Sequence, residues 1–371
     1  MKLGSIQFLR AVAALLVAYA HSIDLQETFS YLSHKAHSLQ QDFFHLEDFG
    51  AFGVDIFFVI SGFIISYSAG TYKGSGDAVR FLVKRFKRII PIYYLATLIV
   101  VLTFIPSLIK HSRIISSPDI LKSIILLPVF DKEQFIPPIL FPAWTLSFEW
   151  FFYLLFFLTI FLRTRYKEGV LLLLITALVI TGFFNQHRAY QLVFMTNPIL
   201  LEFLLGVCLY WCYARVEVPK KMAFVLLITG IGICLCEIIN GYERIYNAYS
   251  TLDGSMSLKR FLLWGIPAGL LVAGCIFLEK AHSLSRIWNN SLTTLLGDAS
   301  YSIYLVNYMI YGLCGALYNR VGFFLTPDLA ILLQLLVAVM GGLIFYRLIE
   351  KPLLQLLHKR RQPVLAVNST P

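Results

Sequence analysis

IQFLRAVAALLVAYAH, residues 6–21, is an apolar run broken by one guanidinium, Arg10, and ended by one imidazole, His21. Such a run reads as a membrane helix, where a charged side chain near the bilayer centre costs a few kcal/mol. A group kept at that cost is by default a functional one. Arg10 and His21 stand eleven positions apart. At about 100° and about 1.5 Å per residue they share one helix face, roughly 16 Å from each other. One helix therefore carries a fixed cation towards one end and a titratable group towards the other.

The rest of the chain extends this pattern. Of 371 residues, 58% are hydrophobic and 14% charged, with a mean hydropathy of +0.73. These values exclude a soluble domain of this length and define an all-α, polytopic membrane protein. About ten transmembrane helices are expected, over 6–21, 50–69, 89–107, 143–162, 168–184, 195–213, 222–239, 260–278, 292–317 and 328–348. Most of the 31 Lys and Arg residues fall on one set of alternating loops. By the positive-inside rule both termini are then cytoplasmic. Residues 1–350 read as one membrane-embedded domain and 351–371 as a basic cytoplasmic tail. The loops between spans are too short for a core of their own. The six cysteines lie inside apolar runs and read as packing residues rather than a disulfide framework. The small residues Ala18 and Ala20 also allow a cleavable signal peptide, a reading that Arg10 within the apolar run opposes.

Several polar groups within the spans could carry chemistry. His21 is the histidine that falls within an expected span. An imidazole can take the proton of a hydroxyl as its oxygen attacks a carbonyl. The plainer reading is a helix-end histidine in the headgroup zone; its alignment with Arg10 favours the functional one. Asp55 opens the second span and requires a partner, either His21 or an arginine, and a purely structural ion pair is also consistent with it. Gly62 and Ser66 form a small-xxx-small pair suited to close helix packing. Arg85 and Arg88, if helical, share a face below the membrane and suit phosphate oxygens, although an isolated basic cluster is more commonly a topology signal. Glu149, near the start of the fourth span, and Glu202, in the sixth, are expected at the depth of His21 and Asp55, as in a polar chamber. Ser300, Tyr304, Asn307 and Tyr311 form a stripe that interhelical hydrogen bonding explains. His34, His37 and His45 crowd the first outer loop without a metal-ligand spacing.

At these residues the chain resembles the acyltransferase-3 family of bacterial membrane O-acyltransferases, most closely its exopolysaccharide-type members. The resemblance rests on LRA at 9–11 with AH at 20–21, FGVDIFFVISG at 52–62, RFKRIIP at 85–91 and WTLSFEW at 144–150. GDASYSIYL at 297–305 and EKPL at 350–353 complete it. Each patch is weak alone; their order along nearly the whole chain is specific. The resemblance implies transfer of an acyl group, usually acetyl, from cytoplasmic acyl-CoA. The acceptor would be a hydroxyl of an exopolysaccharide, O-antigen or lipid-linked sugar at the bacterial cytoplasmic (inner) membrane. It matches the family's Arg–His pair to Arg10 and His21, its basic pair to Arg85 and Arg88, and its intramembrane acids to Asp55 and Glu149. Arg85 and Arg88 would then hold the phosphates of CoA, and His21 would act as general base or carry the acyl group itself. Asp55 or Glu149 would orient the imidazole. Acyl-CoA enters as donor substrate; the chemistry requires no resident cofactor, metal or nucleic acid. Two departures stand out: Asn307 stands near a place where relatives often have histidine, and no fused extracytoplasmic hydrolase-like domain is present. A non-catalytic permease for a small solute or saccharide is the alternative.

Overall fold

Each of the ten expected spans coincides with a helix. They are α1 (Gly4–Ser33), α2 (Phe52–Ser68), α3 (Ser75–Lys110), α4 (Trp144–Phe161) and α5 (Lys167–Phe184). There follow α6 (Leu200–Arg215), α7 (Lys220–Asn240), α8 (Ile266–Lys280), α9 (Ser291–Val321) and α10 (Pro327–Phe345), then a short amphipathic α11 (Lys351–Lys359). A computed structural model describes the chain apart from residues 1–2, 34–37, 43–45, 111–122, 125, 127–128, 131–134, 137, 165, 185–188, 242–243, 322–325 and 360–371. Among the described residues seven helical stretches are long and apolar enough to cross a membrane, and Phe52–Ser68 is a shorter apolar helix. The chain is a helical, multi-pass membrane protein. Its described strands are one antiparallel pair of two residues each, Val129–Phe130 with Phe135–Ile136.

Local sequence explains the helix ends. Pro219 precedes α7 and Gly241 follows it at φ 76°, a conformation that glycine adopts without strain. Pro327 occupies the first turn of α10, where its missing N–H leaves no helical bond unmade. Two boundaries differ from expectation. The basic run before Pro91 is helical rather than a loop, because α3 starts at Ser75. Likewise α1 continues to Ser33, into the stretch expected to be an outer loop.

Small residues then set how closely helices approach. A Cβ on Gly62 of α2 would stand 2.0 Å from the Phe203 carbonyl oxygen of α6, and one on Gly206 would meet the Val59 oxygen at 2.0 Å. The two helices cross backbone to backbone at this reciprocal pair, in which Gly62 is the expected small residue and Gly206 its partner. Helix α1 packs against α2, α9 and α10. Its first turn is capped by Glu279 of α8, which accepts from the Gly4 and Ser5 amides at 2.8 and 2.9 Å and from the Ser5 hydroxyl. A carboxylate there satisfies orphan N–H groups and opposes the positive helix end. This contact fixes the register in which α1 presents Arg10.

Two π-helical segments, Phe261–Gly265 before α8 and Tyr346–Glu350 after α10, interrupt the regular ladder. Each adjoins or contains a buried charge, Arg260 in the first case and Glu350 in the second. Such segments shift side-chain register by one residue and concentrate at functional places.

Candidate active site

Helices α1, α2, α3, α4 and α9 surround a cavity of about 710 Å3, a volume typical of small-molecule sites. Arg10 enters it from α1, Ser61 from α2, Arg85 and Arg88 from α3, Glu149 from α4 and Glu350 from the second π segment. Because α3 is helical through this stretch, Arg85 and Arg88 share one face, at positions i and i+3. Arg85 donates from Nη2 to Ser68 Oγ at 2.8 Å. Its guanidinium also lies over the Phe81 and Tyr153 rings, 5.5 and 5.7 Å from their centroids. These contacts hold the planar group at the cavity wall.

Glu149 is held as an acceptor, with the Ser61 hydroxyl donating at 2.6 Å and the Tyr153 hydroxyl donating to the same oxygen. Glu350 accepts in the same way from Ser302. Arg10 lies within the field of Glu350, Asp298 and Glu149 and is opposed by that of Arg88. The expectation that Glu149 shares the depth of His21 is therefore corrected. Helix α4 begins at Trp144, and Glu149 turns towards Ser61, midway along α2, among the arginines.

A polar layer bounds the cavity on the side of His21. Thr145 Oγ1 and the Tyr304 hydroxyl share a hydrogen bond of 2.7 Å, and each also lies within donating distance of the Pro142 carbonyl, at 3.0 and 2.8 Å. His21 lies beyond this layer, outside the cavity lining. Its Nδ1 is 2.9 Å from Asn307 Oδ1, while Asn307 Nδ2 donates to the Tyr304 carbonyl at 3.0 Å. The second bond orients the amide, and an amide oxygen only accepts. Nδ1 must then carry the hydrogen, which leaves the Nε2 lone pair available as a base. Tyr311 completes this contact between helices by donating to the Ala18 carbonyl at 2.6 Å.

The orienting group of His21 is thus Asn307, and neither Asp55 nor Glu149. Of the partners expected for Asp55, the arginine is the one it meets. Arg260 Nε and Nη2 donate to its two oxygens at 2.9 and 2.7 Å. The remaining donors of Arg260 reach the Ile245 and Ala51 carbonyls, each at 3.0 Å, and its guanidinium lies over the Trp264 ring at 5.0 Å. Glu202, fully buried, adjoins the same pair. Sequence reasoning passed over Arg260, although an arginine in the first turn of the eighth span, with Asp55 in need of a cation, was the available signal. No described group of His, Cys, Asp and Glu is arranged to hold a metal ion; His34, His37 and His45 lie outside the described residues.

Comparison with known proteins identifies the family of the chain. The family model described as an acyltransferase domain, Acyl_transf_3, matches residues 3–347. The exopolysaccharide production protein ExoZ of Rhizobium meliloti strain 1021 is 30% identical over 313 residues, which is 84% of this chain and 92% of the relative. The peptidoglycan O-acetyltransferase OatA of Listeria monocytogenes is 27% identical over 289 residues, 70% of this chain but 45% of that longer protein. No solved structure matches the chain.

Proposed function

Because the chain belongs to the Acyl_transf_3 family of acyltransferases, we propose that it is a membrane O-acetyltransferase of the bacterial cytoplasmic membrane. It would move an acetyl group from cytoplasmic acetyl-CoA to a hydroxyl of an exopolysaccharide, O-antigen or lipid-linked sugar on the opposite side. The relatives named for exopolysaccharide production and for O-acetylation support this reading. The observation that carries it is the cavity: three arginines line it, Glu149 stands one turn along α4 from the Thr145–Tyr304 layer, and His21 lies beyond that layer.

In this reading Arg85 and Arg88 grip phosphate oxygens of CoA through charge-assisted bonds. The pantetheine arm follows α1 past Arg10, and its acyl end passes the Thr145–Tyr304 layer to meet His21. The acceptor oxygen attacks the thioester carbonyl as His21 Nε2 takes its proton. The tetrahedral intermediate then collapses, the C–S bond breaks, and the proton passes from the imidazolium to the CoA thiolate. An ester and free CoA leave. Asn307 keeps the reactive nitrogen unprotonated before each cycle.

The test is acetyl transfer from labelled acetyl-CoA in membranes with matched protein levels. His21→Gln keeps a polar side chain that cannot accept the proton, so transfer is expected to fall by about 10²–10⁴-fold with acetyl-CoA binding retained. Near wild-type turnover in that variant ends the general-base reading. Orientation is tested separately on a background without the native cysteines. An impermeant thiol reagent added outside should label a cysteine at the exposed Leu39 and spare one at the exposed Gly76. The reverse pattern would invert the proposed direction of transfer.

A further inference from the structure

On the His21 side of the polar layer, three aromatic rings continue outward from the imidazole. His21 meets Tyr308 edge to face at 6.0 Å, Tyr308 stacks on Phe141 at 6.0 Å, and Phe141 meets Tyr249 at 6.3 Å. Tyr308 belongs to α9, Phe141 to the turn before α4, and Tyr249 to the short helix Ala248–Leu252 between α7 and α8. The ends of the strip are uncovered, with Tyr308 46% and Tyr249 49% exposed.

We propose that Phe141, Tyr249 and Tyr308 form a stacking platform for a sugar ring of the acceptor glycan beside His21. A pyranose presents a face of C–H groups, weakly positive and apolar, which suits the negative face of an aromatic ring. Its hydroxyls point from the rim, where two tyrosine hydroxyls and the imidazole can meet them. The strip names the substrate class of the transfer site and so rests on the acetyl-transfer reading for its purpose.

Two further observations favour a glycan over lipid as the occupant. Irregular backbone exposed to hydrocarbon would leave its polar groups unsatisfied, so the connection that carries Tyr249 belongs in water or among headgroups. The helix that carries Tyr249 is also tied down by hydrogen bonds. Asn247 caps its helix by accepting from the Tyr249 and Ser250 amides at 2.8 and 3.3 Å, and Asn197 Nδ2 donates to the Thr251 carbonyl at 2.7 Å. Arg260 binds the Ile245 carbonyl ahead of it while paired to Asp55. The buried ion pair is thus the strut that holds Tyr249 in line with Phe141. A platform built in advance of binding avoids the entropy of ordering a loop around its ligand.

The test measures binding without any acyl donor, so it is independent of catalysis. The full-length protein is held in lipid nanodiscs. The probe is end-labelled oligosaccharides cut from the alkali-de-O-acetylated surface polysaccharide of the source cells, read by fluorescence anisotropy. Tyr308→Ala and Tyr249→Ala should each raise Kd at least tenfold. Tyr249→Phe should stay within twofold of the wild type, and Tyr249→Leu, apolar but without a ring, should match the alanine variant. Tyr249 projects from the surface, so its removal spares the fold. Unchanged binding in the alanine and leucine variants overturns the platform, and so does a wild type that binds no fragment. Loss of thermal stability at constant Kd would overturn it too, and mark the rings as a headgroup belt. The acetyl-transfer reading is judged apart from these results, by His21→Gln with the donor present.

Discussion

The Asp55–Arg260 pair and the Arg10–Arg85–Arg88–Glu149 group both place charge inside a helical bundle, but their surroundings differ. Asp55 and Arg260 are fully buried, and the guanidinium donates to both carboxylate oxygens and to two backbone carbonyls. The arginines at the other end line a cavity of about 710 Å3, and Arg85 reaches hydroxyl and ring partners rather than a carboxylate within bonding distance. The sealed pair therefore acts on structure, through the segments it ties together. The open group keeps cationic surface available to an anion. Intramembrane charge alone separates neither role; the saturation of its hydrogen bonds does.

The largest effect expected from this contrast is on folding. Arg260→Met leaves the Asp55 carboxylate buried without its cation, which typically costs about 3–5 kcal/mol. Thermal unfolding in detergent should register that loss. A double variant, Arg260→Met with Asp55→Leu, removes both charges and should recover most of it, since a buried ion pair replaced by packed apolar groups is often neutral in stability. A double variant as unstable as the single one would show that Arg260 acts mainly through the Ile245 and Ala51 carbonyls. The sealed-pair account would then give way to a loop-anchoring one.

A smaller, functional effect is expected at the open group. Arg85→Ala should weaken acetyl-CoA binding by about 1–3 kcal/mol, the range for a charge-assisted contact, with little change in unfolding temperature. Added salt should weaken wild-type binding more than that of the variant, because the variant has lost one screened contact. Affinity independent of both the side chain and the salt would make Arg85 and Arg88 a topology signal alone.

The two regions were not equally legible. A helix lies over each expected apolar span, although seven described stretches are long and apolar enough to cross a membrane, and the eleven-residue spacing of Arg10 and His21 correctly implied one helix carrying both. Local patterns record local facts of this kind. The partners of the polar groups come from distant parts of the chain: Asp55 and Arg260 are 205 positions apart, and His21 and Asn307 are 286 apart. Nothing near Asn307 in sequence announces that its amide would orient an imidazole. The π segments beside Arg260 and Glu350 add a one-residue shift that a regular helical wheel cannot anticipate. Glu149 was misjudged for a related reason: α4 starts where expected, but the groups around its carboxylate, Ser61 and the arginines, come from other helices.

The smallest effect expected lies at the boundary between the cavity and His21. Tyr304 donates to the Pro142 carbonyl and meets Thr145 Oγ1, and its own carbonyl accepts from Asn307. Tyr304→Phe removes the hydroxyl but keeps the ring, which packs edge to face on Phe57 at 5.8 Å. The Pro142 carbonyl keeps the Thr145 hydroxyl as a donor at 3.0 Å, so no buried acceptor is orphaned. The cost should be that of one hydrogen bond, about 0.5–1.5 kcal/mol. The Asn307–His21 contact depends on the Tyr304 backbone and should survive. What changes is the seal: with one bond fewer across the layer, water from the cavity side reaches the imidazole more readily. CoA release from acetyl-CoA in the absence of acceptor should rise severalfold while transfer to glycan holds near its wild-type rate. Should transfer instead fall as far as in His21→Gln, with acceptor-free release unchanged, the Tyr304 hydroxyl would belong to the reacting groups. The layer would then be part of the active site rather than its boundary.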